Sequence, residues 1–306
     1  MRDFITTVFP IVFLLLLGVF FKKKKILNSE QIEGLKYISM NVFLPVVLFR
    51  TFLNSEYDLS ILNYLFVIYP VCLAMLGIGY LIRKRMNGDQ SVPFMMTGFE
   101  VGMLGYALYG FLNKGNDLAA LAMIDFGHSI FMFSTYFVLL NMSYGKGTIK
   151  DSLLSTFRSP FFIAFISGLL LGASGIGSLM KDTVIMGCID SLFDIFGKAL
   201  SATILISLGY GIEISRDVLK QSLILTISRA VLALVFGTIA VKGFDMLIGL
   251  DQKLLSAALI FFVLPPTFTV AAYIKDEENM KLVSTMSSIY TILTILSFFV
   301  IVLYFQ

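Results

Sequence analysis

Phe262-Val263-Leu264-Pro265-Pro266-Thr267-Phe268-Thr269 sets two adjacent prolines inside an otherwise apolar stretch. Each proline removes an amide donor and collides with the carbonyl four residues back, at about 3 kcal/mol or more in a helix interior. A helix passing through this stretch must break there. A second interrupted stretch, Phe99-Glu100-Val101-Gly102-Met103-Leu104-Gly105-Tyr106-Ala107, carries Gly102 and Gly105, each costing a helix about 1 kcal/mol relative to alanine.

The apolar run around these breaks is repeated along the chain. Of 306 residues, 58% are hydrophobic and 14% charged, and mean hydropathy is +0.89. Soluble domains carry roughly a quarter charged residues. The apolar residues fall in blocks of about 18 to 24, the length that crosses a hydrocarbon core of about 30 Å as a helix. Ten such spans can be drawn, at 4–21, 36–53, 59–82, 92–112, 118–142, 160–180, 198–214, 222–241, 253–274 and 282–305. Period-2 alternation is absent, which excludes a porin-like barrel, and backbone polar groups in lipid must be satisfied within the segment, which makes the spans helical. The expected fold class is an all-α integral membrane protein.

Basic residues set the expected orientation. Fifteen of the 23 lysines and arginines lie in or beside the loops after spans 1, 3, 5, 7 and 9, led by Lys22–Lys25 and Arg83–Arg85. Basic loops stay in the cytoplasm, so both termini are expected outside a cell-membrane protein of many passes. Span 1 runs directly into Lys22–Lys25; a cleaved signal peptide has its positive charge ahead of the apolar run.

The charged connection 146–159 separates residues 1–145, with five spans, from 160–306, with five more. An odd number in each part makes the second enter the membrane from the opposite side. If the parts share a fold they form an inverted repeat, an architecture of many secondary transporters. The two breaks then occupy corresponding places, the fourth span of each repeat. Paired broken helices mark a binding site near the membrane midplane.

Ionisable groups inside spans are costly and mark cavities or proton paths. Glu100 lies about halfway along span 4, as a candidate proton carrier or a cation-attracting group. Asp125 and His128 lie three apart on one face of span 5, as a proton relay or a mutually satisfied polar pair. Arg229, one or two turns inside span 8, is a candidate partner for a substrate or an acidic group. Arg50 is expected to snorkel to the interface, Asp190 and Asp194 to lie on a solvated helix face, and Gly168 with Gly172 to form a packing surface.

Further residues carry a resemblance. Asn41-Val42-Phe43-Leu44-Pro45-Val46-Val47-Leu48-Phe49 in span 2, Leu264-Pro265-Pro266 with Ala271-Ala272-Tyr273 in span 9, and Val283-Ser284-Thr285-Met286-Ser287-Ser288 in span 10 are similar, in order and spacing, to the auxin efflux carrier family. The resemblance covers nearly the whole chain. It implies two inverted five-helix repeats, like sodium–proton antiporters and bile-acid symporters, with spans 4 and 9 crossing in an X. It also implies a scaffold of spans 1, 2, 6 and 7 that forms a homodimer, with spans 3–5 and 8–10 moving. The implied substrates are organic anions such as malonate, malate or indole-3-acetate, and the implied site is the crossing, here Glu100, Gly102, Gly105, Tyr106, Ala107, Pro265, Pro266 and Thr267. The sequence departs from the family pattern in span 4, where Glu100 replaces an asparagine and Ala107 a proline.

The leading expectation is a secondary permease for a small organic acid, working by alternating access with candidate proton coupling. A carrier of a neutral or cationic solute is the alternative that Glu100 motivates, and a membrane-embedded enzyme or sensor using Asp125 and His128 is a third. No GxxxxGK[ST] loop, HExxH motif or metal-ligand cluster occurs, so neither cofactor nor metal is expected, nor is a nucleic-acid partner.

Overall fold

A computed structural model describes residues 2–53, 61–86, 88–113, 118–145, 150, 154, 157–176, 183–274 and 276–305. The described residues are helical, with no strand longer than an isolated bridge. In chain order the helices are α1 (Arg2–Lys23), α2 (Ser29–Leu53), α3 (Ile61–Met86), α4a (Val92–Met96), α4b (Val101–Leu112), α5 (Ala119–Ser143), α6 (Pro160–Ala173), α7 (Val184–Gly211), α8 (Leu219–Ile248), α9 (Gln252–Val263) and α10 (Glu277–Phe305). A 3-10 turn, Phe268–Tyr273, follows α9. Among the described residues six helices, α2, α3, α5, α7, α8 and α10, are long and apolar enough to cross a membrane by length and composition.

Local chemistry sets the helix ends. Asn28 caps α2 and forms a reciprocal box with Gln31, Thr183 caps α7 through the Met186 amide, and Asp251 caps α9 through the Leu254 amide. Each satisfies donors that a helix start leaves bare. Gly249, at φ +76°, ends α8 in a conformation that costs glycine little. Within α2, a π turn at Ser39–Phe43 precedes Pro45. The proline has no amide to give residue 41 and its ring crowds that carbonyl, and the widened turn makes room.

The helices sort into two packed groups. α1 lies against α7, and α2 against α6 and α7. Glycines let these backbones touch: a Cβ on Gly209 of α7 would lie 2.0 Å from the Leu15 carbonyl oxygen, and one on Gly168 of α6 would lie 2.8 Å from that of Phe49. Gly168 is therefore the packing residue its sequence context suggests. The second group joins α3, α4a, α5, α8, α9 and α10. α4b packs on α7, α2 on α5, and α1 on α10 along the seam between the groups.

Two expectations need correction. Span 7 was drawn from 198, whereas α7 begins at Val184, because Asp190 and Asp194 gave its first turns a solvated look. Both lie on a solvent-exposed face of α7, as expected, and are ion-paired there: Arg50 Nε lies 2.9 Å from Asp190 and its Nη1 2.5 Å from Asp194, joining α2 to α7. Arg50 thus holds partners on another helix rather than only reaching for the interface. Most of the 146–159 connection lies outside the described residues.

Candidate functional site

The breaks foreseen in spans 4 and 9 meet. After Met96 the chain is extended at Thr97 and turns at Gly98, with φ +69°, where a Cβ would sit 2.8 Å from the Tyr136 ring. Only glycine fits. After Val263 the chain is extended at Leu264 and again at Thr267. The two extended stretches run past each other as an antiparallel bridge between Phe99 and Pro266, and the Glu100 amide donates to the Pro265 carbonyl at 3.0 Å. Pro265, which cannot donate, supplies an acceptor here.

Glu100 is buried, 6% exposed. Its Oε2 accepts from the Phe268 amide at 2.8 Å, so the carboxylate is held where α4b begins and where the 3-10 turn begins. Thr267, also buried, accepts from the Thr269 amide at 3.4 Å and donates to the Thr269 hydroxyl at 3.2 Å. Gly105 faces α9: a Cβ there would lie 2.9 Å from Leu264 Cδ1. Gly102 faces α2 across the seam, with Leu44 and Met40 at 3.2 and 3.4 Å from the same imagined atom. α4b opens with a π turn, Val101–Gly105, which the two glycines permit. Ala107 is buried.

Arg229 lies on the other side of the crossing, wholly buried. Its Nη1 donates to the carbonyls of Met95 at 2.9 Å and Thr97 at 3.2 Å, and its Nη2 to those of Gly98 at 3.0 Å and Leu264 at 3.4 Å. These oxygens are the free carbonyls at and beyond the ends of α4a and α9, where helix dipoles point their negative pole. The guanidinium also stacks over Phe99 at 4.8 Å and Tyr290 at 5.2 Å. Its partners are thus main-chain oxygens and aromatic faces; no ion pair among the described residues includes it. The acidic partner considered for it from the sequence is not at its side.

Asp125 and His128 form a continuous chain with the crossing. The Phe99 amide donates to His128 Nε2 at 3.0 Å. An accepting Nε2 carries no proton, so the neutral ring holds its hydrogen on Nδ1 and donates it to Asp125 Oδ1 at 3.1 Å. The Tyr106 hydroxyl donates to Asp125 Oδ2 at 2.9 Å. The pair therefore binds α5 to both sides of the break in span 4, at Phe99 and at Tyr106. All four groups are buried.

Several contributors were not singled out from the sequence. Tyr290 lies against Arg229, and Thr294 Oγ1 donates to the Val263 carbonyl at 2.5 Å, closing the end of α9. Their spacing of four on α10, continuing the row from Ser287, was the available signal. Phe99, Phe261 and Phe262 pack around the crossing with ring centroids 4.4 to 5.5 Å apart. A cavity of about 790 Å³ lies elsewhere, among α3, α5, α8 and α9, lined by residues such as Tyr64, Met123, Ile248 and Asp251; no residue of the crossing lines it.

No family model matches the chain. It is 23% identical, over 306 residues and 95% of each chain, to a protein of Methanothermobacter thermautotrophicus (strain ATCC 29096 / DSM 1053 / JCM 10044 / NBRC 100330 / Delta H) described as an uncharacterized transporter. The chain is thus similar, over nearly its full length, to a protein described as a transporter.

Proposed function

We propose that the chain is a secondary membrane transporter that binds a small organic acid beside the α4–α9 crossing and works by alternating access. The observation that carries the reading is the meeting of two helix breaks, Phe99 on Pro266 and Glu100 on Phe268, with a buried charge on each side of the junction. Unwound backbone deep in a membrane protein is tolerated where it serves a site. The similarity to a described transporter supports the same reading.

The packing supports the inverted repeat. α1 lies on α7 as α6 lies on α2, and α3 pairs with α5 as α8 pairs with α10. In this reading the first group is the scaffold, through which the protein forms a homodimer, the second group moves, and both termini face outward. Such a fold is the one expected of the auxin efflux carrier family. Catalysis is disfavoured because both ring nitrogens of His128 are engaged in holding the crossing.

Glu100 gives the reading its coupling. A cargo carboxylate drawn to the Phe268 amide meets a carboxylate already there, so Glu100 takes up a proton before an anion binds. A second reading follows from the same contact: if Glu100 stays charged, the site selects a neutral or cationic solute. Uptake into proteoliposomes, measured for dicarboxylates, monocarboxylates and amines under imposed proton gradients, separates them. Carboxylate uptake driven by an inward proton gradient supports the first reading; uptake of amines alone overturns it.

A further inference from the structure

The connection between α7 and α8 crosses from one helix group to the other, and its first residues are fastened on both sides. Ile212–Ser215 has no regular secondary structure, and leaves α7 extended at Ile212, with φ −61° and ψ 119°. On one side, Lys22 at the end of α1 donates to the Ile212 carbonyl at 3.3 Å and pairs with the Glu213 carboxylate at 3.3 Å. On the other, the Glu213 amide donates to Ser288 Oγ and the Ser215 amide to Thr285 Oγ1, each at 3.0 Å, both hydroxyls being on α10.

The match is one of register. Alternate amides of an extended chain point the same way, and side chains three apart on a helix share a face. Amides 213 and 215 therefore meet hydroxyls 288 and 285 in antiparallel order. Both hydroxyls are buried, while the strap lies over them at the surface, with Ile212 and Ser215 half-buried and Glu213 and Ile214 exposed. Since α1 and α7 belong to one group and α10 to the other, the groups cannot separate at this end while these bonds hold.

Resting on the alternating-access reading, we propose that Ile212–Ser215 is a bolt that keeps the Lys22 end of the seam shut, and that the carrier opens this end by releasing the amides from Thr285 and Ser288. The bolt is released and remade without breaking any helix, because only loop amides and side-chain hydroxyls take part.

The test needs no cargo, so it stands apart from the identity of the substrate. Amide hydrogen exchange is followed in nanodiscs for the wild type and for the Thr285→Val, Ser288→Ala double variant, with size-exclusion profiles as a check on folding. Loss of both bonds raises exchange about tenfold or more in peptides covering 212–216, and also in those facing the seam at 40–44 and 101–105. A second protein, Ser215→Cys with Thr285→Cys in a Cys72→Ala, Cys188→Ser background, forms a disulfide on mild oxidation, and exchange at the seam then falls below that of the reduced form. Exchange that changes only within 212–216, or not at all, overturns the proposal, as does failure of the cysteine pair to cross-link.

Discussion

The Glu100 carboxylate accepts a hydrogen bond from the Phe268 amide at 2.8 Å, so a side chain from the break in one helix closes on the backbone of the break in the other. A junction made this way responds to the charge of one group, and the first prediction tests it.

Glu100→Gln keeps the shape of the side chain, and its amide oxygen still accepts from Phe268, but it cannot take up a proton. The variant is expected to fold and to transport with no dependence on an imposed pH gradient. Proteoliposome uptake at matched and opposed internal pH measures this; unchanged pH dependence would remove Glu100 from the coupling.

Arg229→Met strips four buried carbonyls of their donor. A hydrogen bond to a charged group contributes about 1.5 to 3 kcal/mol, and an orphaned buried partner costs about 1 to 3, so a loss of at least about 3 kcal/mol is expected. Thermal unfolding in detergent should show a large drop, and Arg229→Lys, which has one nitrogen to reach two helix ends, should recover only part of it.

His128→Ala leaves the Phe99 amide without its buried partner and Asp125 Oδ1 with only the Ser129 hydroxyl at 3.5 Å, whereas Asp125→Asn keeps an acceptor for His128 or Tyr106. The first is expected to destabilise by about 2 to 3 kcal/mol and the second by about 1. Equal effects of the two substitutions in a thermal melt would show that the chain through His128 does not hold the crossing.

Gly209→Ala forces a Cβ to within 2.0 Å of the Leu15 carbonyl oxygen, and Gly18→Ala to within 2.1 Å of that of Ile206. Each should push α1 from α7 and cost about 2 kcal/mol or more. Gly34 and Gly187 lie in helices with open space around the same atom, so alanine there should be neutral or stabilise by up to about 1 kcal/mol. Melting temperatures of the four variants check the contrast.

In the loop before α4a, burial pushes the Asp89 carboxyl up, but hydrogen bonds from the Ser91 amide and the Tyr144 hydroxyl outweigh it and hold the group below the usual carboxylate range. A lowered folded value means that the contribution is complete above about pH 4, the unfolded value, and is lost as pH falls through the folded one. The melting-temperature gap between wild type and Asp89→Asn should therefore be constant from pH 8 to pH 5 and shrink below about pH 4.

The breaks were legible because proline and glycine act on the backbone that carries them: Pro265 and Pro266 deny a helix two successive donors, where the single prolines Pro10, Pro45 and Pro70 are accommodated within helices, and their place matched that of Gly102 and Gly105. Helix edges were less so. Asp190 and Asp194 are solvated as they read, but their partner Arg50 is far off in sequence, so nothing local showed that they belong to a helix packed on α2. The role of Arg229 was illegible for a different reason: its acceptors are carbonyls, which every residue has, so no side-chain pattern announces them. The π turns of α2 and α4b were hidden likewise, since Pro45, Gly102 and Gly105 allow a widened turn without requiring one.

Because the Arg229 guanidinium grips Met95, Thr97, Gly98 and Leu264 by their main-chain oxygens, it is blind to what those positions carry as side groups. Met95, Thr97 and Leu264 are thereby released from any duty of recognition towards it and can drift to suit their own surroundings, while position 229 has no such latitude.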